Sequence, residues 1–299
     1  MPSARQILPI SDVSNALSTV TGNANLKPAK NHGVNFSFNN YDWATRSGYY
    51  MYGGATINET QIVNYTEIDS VAKRNTTYRN IDGGYNAYFG GNINKSVKTE
   101  NGNKYRYTLG IRSNYSLDRG FTNATLYTAK TFSLTPNVNF NYDLGELLSI
   151  NPSYSYTLND TRYTNFNRAG ATNFVHKATI LITNYWPKHF VMGNDFSYTY
   201  NSQLSAGYKK DFFLWNTSVG YNFLADKMLF KVKVYDLLNQ NLGTGRTITP
   251  NGINDYQNTV LKRYLMFSLT YKINQFGDKK GSNEKPGGPG MGGGRRGPR

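Results

Sequence analysis

Tyr105-Arg106-Tyr107-Thr108-Leu109-Gly110-Ile111-Arg112-Ser113-Asn114-Tyr115-Ser116 reads with a period of two. The odd positions carry Tyr105, Tyr107, Leu109, Ile111, Ser113 and Tyr115, and the even ones Arg106, Thr108, Gly110, Arg112, Asn114 and Ser116. Successive side chains of an extended strand point to opposite faces, so a strand here has one apolar and one polar side, whereas a helix would mix the two sets. The stretch also has about the ten-residue length that a tilted strand needs to cross a bilayer.

The same separation recurs on both sides of this segment. Leu148, Ile150, Pro152, Tyr154, Tyr156 and Leu158 alternate with Ser149, Asn151, Ser153, Ser155, Thr157 and Asn159. Phe213, Trp215, Thr217, Val219, Tyr221 and Phe223 alternate with Leu214, Asn216, Ser218, Gly220 and Asn222, and Leu265, Phe267, Leu269, Tyr271 and Ile273 with Met266, Ser268, Thr270 and Lys272. Weaker alternation covers 33–41, 47–58, 77–91, 124–142, 172–186, 190–201 and 228–237. The expectation is an all-β chain of about eleven antiparallel strands in up-and-down order.

Composition separates a membrane barrel from a soluble sandwich. Charged residues make up 17% and hydrophobic ones 38%, whereas a soluble domain carries about 25% charged residues. Polarity therefore comes from Asn, Ser, Thr and Gly, set beside 25 Tyr and 16 Phe. A water-facing sheet would protect itself with Lys and Glu. The aromatics gather toward strand ends, as Tyr105, Tyr107 and Tyr115 do, in the manner of interfacial girdles. No run approaches the roughly 18 apolar residues of a spanning helix, so a membrane location means a transmembrane β-barrel.

Short connections at Tyr41–Arg46, Tyr142–Glu146, Trp186–His189 and Leu224–Lys227 contrast with long polar ones at Asn58–Ala72, Asp160–Ala171 and Leu238–Val260. In bacterial barrels short turns face the periplasm and long loops the exterior. On that rule the first and last strands both run inward, an odd set, so the expected object is a partial barrel completed by upstream strands or by another chain. The start, Met1-Pro2-Ser3-Ala4-Arg5-Gln6-Ile7-Leu8-Pro9-Ile10, has no apolar secretory core, which suggests that the beginning of the parent protein is missing.

Two segments resemble a known family. Gly22-Asn23-Ala24-Asn25-Leu26-Lys27-Pro28-Ala29 resembles the N-P-x-L-K-P-E lead-in to the middle of the barrel in TonB-dependent receptors, with Ala24 in place of Pro and Ala29 in place of Glu. Phe230-Lys231-Val232-Lys233-Val234-Tyr235-Asp236-Leu237-Leu238-Asn239 resembles their penultimate strand, V-x-N-L-F-N, with Asp236 and Leu238 as departures. The resemblance covers 26–276 and implies the C-terminal half of a barrel of about 22 strands with a plugged lumen. It also implies energy-coupled uptake across the outer membrane of a Gram-negative bacterium. The implied partners are outer-membrane lipid, a missing N-terminal barrel half with its plug, and the TonB system reached through that missing part.

The domain expectation is a barrel portion over 1–276 and a disordered Gly/Pro/Arg-rich tail over 277–299. The net charge of +15 raises the alternative of a soluble basic nucleic-acid binder. Lys and Arg are dispersed, however, and no nucleic-acid partner is expected. Residues assigned to the lumen as substrate contacts are Arg106, Arg112, Asn216, Asn222, Lys231 and Lys233. Catalysis has no support: His32, His176 and His189 lack metal-site spacing, no G-x-S-x-G elbow occurs, and Cys is absent. No cofactor and no enzymatic activity are expected, and a non-transporting surface protein that binds through its long loops is the second reading.

Overall fold

The computed structural model describes residues 1–15, 17–71, 73–165, 170–241, 243–249 and 252–273; the expected tail, 277–299, lies outside them. A short helix, α1 (Ala4–Ile7), precedes a hairpin of β1 (Ser11–Asn15) and β2 (Ser18–Thr21). Then come β3 (Lys30–Asp42), β4 (Ser47–Ile68), β5 (Arg74–Asp82), β6 (Tyr85–Lys98), β7 (Lys104–Thr122), β8 (Thr125–Leu144) and β9 (Leu148–Thr164). The chain continues through β10 (Ala171–Asn184), β11 (Phe190–Asn201), β12 (Asp211–Phe223) and β13 (Met228–Tyr235). A separate hairpin, β14 (Thr244–Thr249) and β15 (Gly252–Gln257), interrupts the path before β16 (Tyr264–Tyr271).

From β3 to β13 and on to β16 the strands pair in chain order, antiparallel throughout, except that β5 and β6 both pair with β4 and not with each other. β5 and β6 keep one register against β4, Asp82 opposite Thr60 and Tyr85 opposite Ile57. They form a single strand interrupted at Gly83 and Gly84, whose φ values of 83° and 115° are open to glycine and strained for other residues. Counted this way, β3, β4, β5–β6, β7, β8, β9, β10, β11, β12, β13 and β16 are eleven long strands. The expected all-β meander is the observed one. Among the described residues the edges β3 and β16 are not paired with each other, and both run toward the short turns.

The sheet is one layer. The only buried apolar side chains among the described residues are Tyr65, Ala129 and Leu204, while Leu109, Ile111, Phe132, Val138, Phe140, Phe213 and Phe267 are exposed. A sandwich would cover its apolar face with a second sheet. Here that face stays bare over a far larger area than water tolerates. No described helix is long and apolar enough to cross a membrane; within the sheet, the backbone groups of each strand are satisfied by its neighbours.

Three readings of the sequence change. Asn58–Ala72 is not a long loop: β4 continues to Ile68 and pairs with β5, because Ile62, Asn64 and Thr66 find partners in Asn80, Tyr78 and Thr76. Charges at Glu59 and Glu67 hide the strand from a hydropathy pattern. Leu238–Val260 contains the β14–β15 hairpin. The lead-in resembling the receptor motif is preceded by the β1–β2 hairpin, whose β2 lies parallel to β5. It is fastened there by the Asn80 side chain, which donates to the Lys27 carbonyl at 2.9 Å and accepts from the Lys27 N–H at 2.7 Å.

Candidate functional site, the polar face of the sheet

Directly opposed residues in an antiparallel pair point to the same side, so register traces each face across the sheet. One face carries Phe36, Phe38, Tyr49, Met51, Ile93, Leu109, Ile111, Val138, Phe140, Tyr154, Ile180, Phe196, Val219, Val232 and Phe267, strand after strand. The other carries Asn35, Tyr50, Tyr52, Tyr88, Arg112, Thr135, Thr157, Thr179, Ser197, Ser218 and Lys233. All six residues expected to line the lumen, Arg106, Arg112, Asn216, Asn222, Lys231 and Lys233, stand on this polar face.

They form two groups and not one site. β7 and β13 are separated by five strands, about 29 Å at ~4.8 Å per strand spacing. On the first side Arg106 lies opposite Ser96 and Asn141. It lines a cavity of about 520 Å³ at the short-turn rim, with Arg46, Lys98 and Lys104 against Asp143. Farther up, Arg112 donates through Nε to the Tyr52 hydroxyl at 3.3 Å. Tyr52 stacks on Tyr50 at 5.4 Å and meets Tyr88 at 6.2 Å, and Tyr88 donates to Asn35 Oδ1 at 2.8 Å. Gly90 makes room, since a Cβ there would fall 2.5 Å from the Tyr52 ring. A ladder of tyrosines interleaved with an arginine and amides is suited to planar or hydroxyl-rich ligands.

On the second side Lys233 Nζ donates to Asp195 at 2.8 Å, with both side chains partly shielded. Lys231 sits between Gly220 and Ser268. Asn216 serves the backbone. Its Oδ1 accepts the Asp236 N–H at 2.9 Å, and the buried Asp236 carboxylate in turn accepts the N–H groups of Gln240 and Asn241 at 2.8 and 3.0 Å. That chain of bonds fixes how β13 leaves the sheet. Among the described residues the side chains of Lys231 and Asn222 make no hydrogen bond or ion pair.

Tyr50, Tyr52, Tyr88, Asn35 and Asp195 are not singled out by the sequence. Alternation places Tyr50 and Tyr52 on the same face as Gly48 and Gly54, a signal already present in 47–58. Their meeting with Tyr88 and Arg112 depends on register across three strand pairs, which no local pattern contains.

Beyond the long-loop end, Arg246 on β14 grips Asp255 on β15 through Nε at 2.5 Å and Nη2 at 2.8 Å, and its Nη2 also donates to Ser205 of the 202–210 connection. Ser205 Oγ donates to Asp255 at 2.8 Å. The Arg246 guanidinium, with help from Ser205, holds the Asp255 carboxyl down at about 2. This three-residue latch ties the hairpin to the neighbouring loop. No group of three or more His, Cys, Asp or Glu suited to a metal ion occurs among the described residues.

Residues 127–271, from within β8 to the end of β16, match the Outer membrane protein beta-barrel family. No curated protein matches the chain. The matched stretch is just under half of the chain; together with the single-layer antiparallel sheet it indicates an outer-membrane β-barrel fold and an outer-membrane location.

Proposed function

From an outer-membrane β-barrel chain whose polar face runs from β3 to β16, we propose that the sheet is part of the lumen wall of a receptor for substrate uptake, of the TonB-dependent kind. The observation that supports this is the pairing of two contrasting faces on one layer, one mainly apolar toward lipid and one mainly amide-, hydroxyl- and cation-lined toward an aqueous interior. In this reading Arg106, Arg112, Lys231 and Lys233 make the interior attractive to anionic groups, the tyrosine ladder supplies flat contact surface, and a plug, reached by the TonB system, occupies the space before the polar face. The chain acts as wall and receptor, without catalysis, a cofactor or a nucleic-acid partner.

A second reading is a surface protein that binds at its exterior loops and transports nothing. The latch of Arg246, Asp255 and Ser205 supports it, because a loop held in one shape has already lost the entropy that binding would cost.

Uptake by cells with and without the gene separates the two. A panel of labelled iron chelates, oligosaccharides and peptides is offered before and after a protonophore collapses the inner-membrane proton gradient. Loss of uptake of one class on deletion and on collapse is the expected result. Loss on deletion alone means passive passage, and unchanged uptake leaves the surface-binding reading.

A further inference from the structure

The apolar face ends, toward the long-loop side, in an arrangement that an isolated sheet has no reason to adopt. Along β8 the lipid-facing residues are Tyr142, Phe140, Val138, Pro136, Leu134 and Phe132, and the next is Lys130. Along β9 they are Ile150, Pro152, Tyr154, Tyr156 and Leu158, followed by Asp160 and Arg162. Lys130 stands directly opposite Arg162. Like charges directly across an antiparallel pair repel and destabilise it.

The compensation inside the chain is incomplete. Asp160 accepts Arg162 Nε at 3.0 Å and the Thr172 hydroxyl at 2.6 Å, which holds the guanidinium by one edge. The Arg162 side chain remains 80% exposed. Lys130 is exposed, and no acid pairs with it among the described residues. Arg119, on the same face one step along β7, is occupied with the Asp82 carbonyl at 2.6 Å.

Height places the pair. From Ile150 to Arg162 is about a dozen residues at ~3.3 Å each, or roughly 30 Å of rise at a strand tilt of ~40°, against an apolar band of about 25 Å. The two cations therefore stand just above the hydrocarbon, at headgroup level. Below them the rings of Tyr154, Tyr156, Phe174, His176 and Tyr200 form a contiguous cluster, with Tyr154 Oη and His176 Nδ1 2.6 Å apart. That is an interfacial aromatic belt. The 236–263 connection lies at this end of the strands, so the leaflet is the outer one.

We infer that Lys130 and Arg162 form a binding site for the phosphorylated headgroup of an outer-leaflet glycolipid, with the aromatic cluster receiving its acyl chains. A phosphate between the two cations converts their repulsion into two charge-assisted contacts. The inference rests on the outer-membrane location and not on the uptake reading, and it stands whether or not the chain transports anything.

The test uses full-length protein extracted from outer membranes in mild detergent, with retained glycolipid counted by native mass spectrometry. Wild type is expected to keep phosphorylated glycolipid, and the K130Q/R162Q double variant to lose it tenfold or more. K177Q, on the polar face, should retain it. Charge-preserving K130R/R162K is expected to keep the lipid and guards against a folding artefact, with heat-modifiable gel mobility checking every variant. Equal retention by the double variant overturns the site. Competition completes the experiment: displacement by phosphorylated but not by dephosphorylated glycolipid is expected. If inorganic pyrophosphate displaces the lipid as well as phosphorylated glycolipid does, the site is one for free anions and the headgroup assignment fails.

Discussion

Replacing Trp215 by Phe removes a single N–H from the apolar face. Asn194 sits on that face, opposite Thr217, and its Oδ1 accepts the Trp215 Nε1–H at 3.1 Å. The Trp215 ring stacks on Phe196 at 5.2 Å. If this face lies in hydrocarbon, no water replaces the lost donor. A polar group left unsatisfied in that environment costs about 2 kcal/mol, toward the upper part of the range measured within proteins. Shrinking the ring costs a further ~1 kcal/mol in lost contact. W215F alone should therefore lose about 3 kcal/mol, and W215F made in an N194V background only ~1 kcal/mol. The coupling of about 2 kcal/mol corresponds to roughly a 30-fold change in the ratio of folded to unfolded protein. The assay is urea titration of the full chain refolded into lipid vesicles, with the folded fraction read from unboiled gel mobility. A coupling below about 0.5 kcal/mol would refute the reasoning, because it would mean that Asn194 reaches water and the face is not in lipid.

The remaining predictions concern the polar face and the latch. R112C should react with a bulky, charged maleimide in isolated outer membranes and I111C should not; the reverse order would exchange the two faces. G90L drives a side chain into the Tyr52 ring and should destabilise by about 2 kcal/mol in the same urea assay, with most of the loss recovered in G90L/Y52A. Asp255 has its folded pKa depressed from 3.8 to about 2. Its contribution to latch stability is therefore complete above the unfolded value and is lost as pH falls through the folded one. Hydrogen exchange of the 244–257 amides, corrected for intrinsic rates, should be flat from pH 7 to about 4 and accelerate between about 4 and about 2. D255N should show the accelerated exchange already at pH 7.

The strands were legible because a sheet bounded by two different solvents writes its faces into every second residue. Where that contrast is strong, as in 105–116 and 148–159, the observed strands β7 and β9 contain the expected ones and extend beyond them. The contrast fades above the hydrocarbon, where both faces meet water. There β4 runs on past Asn58 with Glu59 and Glu67, and alternation no longer distinguishes strand from loop. The break between β5 and β6 falls at Gly83-Gly84, inside the stretch 77–91 whose alternation reads as one strand; glycine pairs also occur within unbroken strands, as Gly53-Gly54 does in β4, so the pair alone does not mark a break. For the candidate site, the face of each of the six residues followed from parity. What they touch did not. Arg112 reaches Tyr52 across β6, and Asn216 turns out to hold the backbone of Asp236, because both contacts depend on stagger between strands far apart in sequence.

The shared direction of β3 and β16 governs how this sheet meets its neighbours. Two copies held the same way up in one membrane and brought together edge to edge would place β16 of one beside β3 of the other, both descending. Such a seam is parallel, with slanted and slightly weaker hydrogen bonds than the antiparallel ladder that holds every strand from β3 onward in place. Identical edges meet head to head only if one molecule is inverted across the bilayer, which would bury the long-loop end on the wrong side. The open edges are thus polarised, like two plugs of the same gender. They resist chaining copies into a growing ribbon while remaining receptive to an ascending strand.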